Sequence, residues 1–455
     1  MDKFVLIGAG SAAFTRGLIS DLIRSGKPAE VALVDINPEA LAVAEGLVRK
    51  LVEATGAKIT LEAATDRRDV LGGATVVITT IAVGGRRAWG QDVFIPRKYG
   101  IYQPVGDTTM PGGISRAMRM IPPMVAIAED VMDLCPDAWF FNYSNPMTAI
   151  CRAIRKTTLA RVVGLCHGTW HVSTMLAGLA GLDPKQCQFD AVGLNHLTWI
   201  TEMTCDGRDV LAELRTAAAK QIRARHQADA HGEALAETGI GEDASKSIAE
   251  SPFTWEMFTR FGAFPAVLDR HITEFFPSMF PHGNHYGKTL GMNEWNLEAK
   301  LKSGDEGYAE MKRLGLGPDP LPKDYFDASG GEHEQVIDIV DSIATGAGRV
   351  YAANLPNGGR VENLPDEAVV ETMATVDDAG FHPWDYGRID DAIAATLLPH
   401  IAKVEVVVEA ALAGNRDKFV EALILDGSCP SVRDAGLLAD ELLAAHSEHL
   451  PLFQR

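Results

Sequence analysis

The feature that constrains this chain most is a glycine turn set between an apolar run and a helical pattern, "KFVLIGAGSAAFTRGLISDLI", near its start. An unbroken apolar run needs both faces of its strand covered, and a parallel sheet flanked by helices does this. "VALVDINPEALAVAEGLVRKLVEA" repeats the unit. "ATVVITTIAV", "AWFFNYS" and "RVVGLC" supply further strand candidates, separated by helical stretches such as "ISRAMRMIPPMVAIAEDVMDL". The expected architecture is α/β, with a doubly wound parallel sheet over about residues 1–190. Beyond it the pattern turns irregular: an Ala-rich polar stretch from about Leu214 to Glu237, a loop-rich aromatic region, then helices such as "IDDAIAATLLPHIAKVEVVVEAALAG". Residues 191–455 are expected to form a second, mixed α+β lobe packed over the sheet, carrying substrate contacts and the oligomer interface.

Gly8, Gly10 and Ala13 form GxGxxA directly after the first strand. The first glycine permits the turn, the second lets backbone approach a pyrophosphate, and the small third residue lets helix and strand pack closely. Asp35 closes the second strand, where a carboxylate would hydrogen-bond a ribose 2′-hydroxyl and repel a 2′-phosphate. Ser11 adds a hydroxyl at the helix N-terminus, as a phosphate ligand or a plain N-cap. The first half therefore reads as a Rossmann-type domain that binds NAD.

A formal net charge of -19 disfavours nucleic acid and anionic membranes as partners. No run approaches the about 18 to 20 apolar residues of a membrane span, and the first strand begins too early for a signal peptide, so a cytoplasmic protein is expected. Six cysteines form no close-spaced framework and no CxxC pair. Most are expected to be buried small hydrophobes.

Four motifs fall at, or could fold back towards, the carboxyl edge of the sheet, where open α/β proteins bind ligands. They are "YQPVGDTTMPGGISRAMR", "NYSNPM", "CHG" and "GLNH". Singly, Cys166 could be a packed thiol, His196 a core histidine and Asn145-Pro146 a helix start. Together behind a dinucleotide fingerprint, a thiol and an imidazole could hold one divalent ion against substrate hydroxyls.

With "IGAGSAAFT", "KYGIYQPVGDTTMPGG", "NYSNPM", "GLCHG", "GLNH", "WEMFTRFG" and "NLPNGGRVENLP" in this order, the chain resembles glycoside hydrolase family 4, the NAD- and divalent-metal-dependent glycosidases. That family is an exception to the two-carboxylate rule of glycoside hydrolysis. The resemblance implies that Cys166 and His196 ligate a Mn2+-type ion together with the sugar's 2- and 3-oxygens. Thiolate is soft and manganese prefers oxygen, so binding should be weak and open to other metals. It further implies transient C3 oxidation by NAD+, C2 deprotonation beside the metal, C1–O elimination and water addition, with the cofactor unchanged over a turnover. Asp269 is expected as the base, because its region falls near a tyrosine base of phospho-glycoside members, and Asp107 as acid or substrate ligand.

Cys-Asn is typical of the family's phospho-glycosidases and Cys-His of members acting on unphosphorylated α-glycosides. "CHG" resembles the subgroup acting on α-linked uronides, glucuronides or galacturonides, and Gly168 is expected to make room beside the sugar. A C5 carboxylate would need a cation, and Arg270, His271, Arg86 or Arg87 could supply it. Asn145 and His167 complete the expected substrate contacts. The partner is a small carbohydrate, and a homodimer or homotetramer is expected. An α-glucosidase or α-galactosidase of the same family is the nearest alternative. An NAD-dependent dehydrogenase of the malate or 2-hydroxy-acid type would leave Cys166 and His196 idle, and a silent dinucleotide-binding regulator has no need of them.

Overall fold

The computed structural model describes residues 1–231, 241–322, 325–328 and 335–454. The first half builds a parallel sheet from β1 (Asp2–Ile7), β2 (Ala29–Val34), β3 (Ile59–Ala64), β4 (Val76–Thr79), β5 (Trp139–Asn142) and β6 (Val162–Gly164). These lie in the order β3-β2-β1-β4-β5-β6, every neighbouring pair parallel. That is the strand order of a doubly wound dinucleotide-binding sheet, with its switch point between β1 and β4.

Alternation along the strands explains why both faces carry helices. Val5, Ile7, Val34 and Val77 join one apolar cluster, while Phe4, Leu6, Val31, Leu33 and Val76 join the other. α1 (Ala12–Arg24) and α2 (Pro38–Thr55) cover the second face through Leu18, Leu22, Leu47 and Leu51. α3 (Gly85–Arg97), α4 (Met110–Leu134) and α5 (Met147–Thr157) cover the first through Ile95, Met118, Ile121, Ile150 and Ile154. Each such side chain stabilises the fold by roughly 1.5–3 kcal/mol relative to exposure.

The second half, expected to pack over this sheet, also lengthens it. The hairpin β7 (Cys187–Leu194) and β8 (Leu197–Cys205) and the strands Arg349–Pro356 and Val369–Asp377 continue the sheet beyond β6 as antiparallel members. One row of paired residues crosses the join: Gly164 of β6 faces Asn354, Asn354 faces Glu371, and Glu371 faces Gly193 of β7. The carboxyl end of β6 therefore lies level with the carboxyl end of β7, although the two strands run in opposite directions.

The expected long C-terminal helix is Asp391–Ala413, begun by Asp390, whose carboxylate accepts from the N–H groups of Ala392 and Ile393, and ended by Gly414 at φ 61. With Arg416–Asp426 and Val432–Ala445 it packs Val408, Phe419 and Leu438 onto the cluster of α4 and α5. The Ala-rich stretch is helical over Val210–His231, and its remainder lies outside the described residues. Beneath the loop after β4, the fully buried Arg119 and Asp92 form a bidentate ion pair. Arg119 Nε also donates to the Val83 carbonyl at 3.0 Å, and His446 Nε2 lies 2.9 Å from Asp92 Oδ1. α3, α4 and the C-terminal segment are thereby held to one another. Among the described residues no helix is long and apolar enough to cross a membrane.

Candidate active site

The glycine turn sits at the switch point. Gly8 adopts φ +96, and a Cβ there would stand 2.9 Å from the Thr80 and Ile81 backbone, so only glycine lets β1 pass so close to β4. A Cβ on Gly10 would meet Asp35 Oδ2 at 2.7 Å. Asp35 itself accepts the Gly10 N–H at 2.9 Å and the Asn37 N–H at 2.9 Å. The expected acid thus stands against the turn, on the half-exposed edge where a ribose would lie. Ser11 occupies the N-cap position of α1 but its hydroxyl makes no capping bond, which favours the phosphate-ligand reading. Ala13 lies in the first turn of α1.

Beyond the carboxyl edge, donor atoms of Asp107, His196 and His271 lie within 4.8 Å of one another. The Thr108 hydroxyl orders this cluster. Its single proton goes to Asp107 Oδ1 at 2.7 Å, so towards His196 Nδ1, 2.9 Å away, its oxygen can only accept. His196 therefore carries its proton on Nδ1 and keeps the Nε2 lone pair for a ligand. His196 sits at φ 65 in the turn between β7 and β8, its ring centroid 4.2 Å from that of His271. Burial pushes the His196 imidazole below its ordinary pKa in spite of Asp107. Burial, with His196 beside it, pushes His271 further down. Burial alone would raise the Asp107 carboxyl, but His196, His271 and Arg116 outweigh it and hold Asp107 below the usual aspartate range. The cluster is one carboxylate and two imidazoles, a donor set suited to a divalent ion.

Asn145 joins the cluster by donating from Nδ2 to Asp107 Oδ2 at 3.1 Å, and its carbonyl receives Arg116 Nε at 3.0 Å. Cys166 is half-buried just ahead of α6 (Gly168–Leu179), where the Gly168 N–H points at its sulfur at 3.5 Å. It is not among the three donors drawn together most tightly. His167 is exposed at the N-cap position of α6, near enough for its charge to act on His196. Arg270 acts on His196 and His271 in the same way. Its Nε is buried without a hydrogen bond, and among the described residues no carboxylate lies within ion-pair distance of it, although its charge reaches the Glu274 carboxyl. Arg86, by contrast, is taken up by Asp305 and lies over the Tyr308 ring, and Arg87 is exposed on α3. Gly168 does not open space as expected: a Cβ there would stand 3.2 Å from Val267 Cγ1 and 3.5 Å from the Ala266 carbonyl oxygen. The glycine lets α6 approach that strand end.

Residues 3–182 match the family model described as family 4 glycosyl hydrolase, and residues 191–428 match that of its C-terminal domain. The chain belongs to family 4 of the glycosyl hydrolases. It is similar to an α-glucosidase of Erwinia rhapontici, 31% identical over 97% of each chain. It is also similar to an α-galacturonidase of Lachnoclostridium phytofermentans, 28% identical over 99% of this chain and 97% of that one. A 6-phospho-α-glucosidase from gut microorganisms, solved in complex with NAD and Mn2+, has the same fold, with TM-score 0.82 at 18% identity over 99% of each chain.

In this family 4 glycosidase, Asp269, the expected base, is engaged by other segments of the chain. Its carboxylate is fully buried and accepts the N–H groups of Phe253 at 3.0 Å and Thr254 at 2.6 Å, with His285 Nε2 at 2.7 Å. It accepts the free N–H groups at the start of the helix Pro252–Phe261. Sequence reasoning also missed Thr108, Arg116, Glu274 and Glu371. Glu274 accepts the Val105 and Gly106 N–H groups at 2.9 and 2.7 Å, fixing the loop before Asp107, and burial raises its pKa to about 8. A glutamate inside the apolar strand "VVETMATV" was the visible signal for Glu371. Asp269→Asn is expected to lower unfolding stability by about 1–2 kcal/mol, as two backbone donors lose a charged acceptor. Per folded enzyme, turnover should fall less than about tenfold. Calorimetric unfolding beside kcat checks this, and a loss of orders of magnitude in folded enzyme would return the base role to Asp269.

Proposed function

We propose that this glycosidase depends on NAD and a divalent ion such as Mn2+, and that α-linked uronides are its preferred substrates. The observation that carries the reading is Arg270, a cation with no carboxylate of its own, set beside the Asp107, His196 and His271 cluster. The similarity to α-galacturonidases supports it, although an α-glucosidase is also among the relatives.

The residues present fit both groups. The turn at Gly8 and Gly10 leaves no room for side chains where a pyrophosphate would lie, and Asp35 faces that turn. His196 Nε2 is left free by the Thr108 relay, with Asp107 beside it and Cys166 as the further donor that the resemblance supplies. When bound, NAD+ supplies a reversible hydride acceptor and the metal a Lewis acid beside the sugar hydroxyls. The chain's own groups do the rest. Asp107, ionised at neutral pH, can ligate the ion or accept a sugar hydroxyl. Arg116 and Arg270 provide positive charge where negative charge would develop. We assign the base role to His271 in place of Asp269, because its Nδ1 has no hydrogen-bond partner and a ring nitrogen of the cluster can receive the C2 proton. Arg270 holds the substrate's C5 carboxylate.

Cleavage of a nitrophenyl α-galacturonide should require NAD+ and Mn2+ yet leave no NADH in proportion to product, because the hydride returns. NADH accumulating one for one with product would identify a dehydrogenase instead.

His196→Ala should abolish Mn2+ binding measured by calorimetry, whereas His271→Ala should keep most of it and lose exchange of the C2 proton with deuterated solvent. If both variants lose the metal equally, His271 is a ligand and not the base.

Arg270→Ala should lower kcat/KM on the uronide roughly ten- to a hundred-fold, the worth of one charge-assisted contact of about 1.5–3 kcal/mol. The matching neutral α-glycoside should change little. An equal loss on both sugars would remove Arg270 from carboxylate recognition, and wild-type preference for the neutral sugar would remove the uronide reading altogether.

A further inference from the structure

Glu371 is a carboxylate with 2% exposure in the middle of a strand, and none of its partners is a cation. Burying an anion this way is costly unless neutral donors surround it. Neutral donors do, Thr198 among them, and three others come from different parts of the chain. The Thr169 hydroxyl donates to Oε1. Asn195 Nδ2 donates to Oε2 at 3.2 Å, and Asn354 Nδ2 donates to the same oxygen at 3.0 Å. Thr169 opens α6, the helix that begins just after Cys166, and Asn195 immediately precedes His196. One oxygen thus grips the thiol's segment and the other the imidazole's turn. The cross-strand row sets this geometry, since Glu371 lies opposite Asn354 on one side and Gly193 on the other.

We propose that Glu371 is a positioning residue that fixes the separation of the Cys166 segment and the His196 turn, and so sets the affinity of the site for its divalent ion. The inference rests on the reading of Cys166 and His196 as metal ligands. Two oxygens on one rigid group cannot move independently, so neither segment can shift without breaking a bond to the other's anchor. Burial raises the carboxyl pKa against the pull of the Thr169, Asn195, Asn354 and Thr198 donors. Outer partners of this kind typically govern metal affinity by ten- to a hundred-fold.

The test measures Mn2+ affinity without sugar or NAD, from the electron paramagnetic resonance signal of free Mn2+, beside the unfolding midpoint of each protein. Glu371→Gln and Thr169→Val should both weaken Mn2+ binding by about ten- to a hundred-fold, while Thr169→Ser, which keeps the hydroxyl, should bind as wild type does. Thr169→Val removes one bond at nearly constant shape, so it decides the matter even if Glu371→Gln does not fold. Unchanged affinity in folded Thr169→Val and Glu371→Gln, with affinity lost in Cys166→Ser, overturns this inference alone. Unchanged affinity in Cys166→Ser overturns the ligand reading and this inference with it. Equal loss in Thr169→Val and Thr169→Ser also overturns it, because the hydroxyl then has no part.

Discussion

The site depends on a narrow seam, the pairing of Gly164 with Asn354, where the parallel half of the sheet meets its antiparallel extension. A Cβ at Gly164 would stand 2.9 Å from Asn354 Cβ, 2.9 Å from Met147 Cγ and 3.0 Å from Cys151 Sγ. The strands can approach only because that residue has no side chain. Everything that follows in the second half takes its level from this row. The strand Val369–Asp377 brings Glu371 into it and β7 brings Gly193, so the turn carrying His196 arrives at the height where β6 releases the Cys166 segment. A slip of one residue would send Glu371 to the opposite face of the sheet. The Cys166 segment and the His196 turn would then lose their common anchor.

Charge is organised on two scales. The chain as a whole is strongly acidic, with a formal net charge of -19, whereas His196, His271 and Arg116 surround Asp107 and Arg270 acts on both histidines and on Glu274. An anionic sugar feels the global charge only weakly, because salt screens it over about 8 Å. Within the site a buried guanidinium acts at short range and low dielectric, so the local cation decides. The two imidazoles belong to the same balance, since desolvation lowers the pKa of both.

Much of this was legible in the residue order. The GxGxxA turn, Asp35 and the alternation of apolar strands with helices specify the doubly wound sheet, because each depends on contacts within one strand–turn–helix unit. The motifs around Asp107, Asn145, Cys166 and His196 likewise announced a site. Asp269 illustrates the limit. From sequence it was a carboxylate in a suggestive place, but its neighbours Phe253 and Thr254 and its partner His285 come from other segments, and they spend both oxygens on capping a helix.

The sequence by itself determined the local units, the cofactor turn and the kinds of chemistry the chain can carry, since strand periodicity, turn glycines and donor types are properties of short stretches. Only the tertiary structure decided which donors meet, which proton Thr108 leaves on His196, which arginine stays unpaired and that Glu371 ties two distant segments together. The physical reason is that hydrogen-bond satisfaction and desolvation are settled among groups far apart in the chain. The role of each polar side chain is therefore set by the partners that folding brings to it.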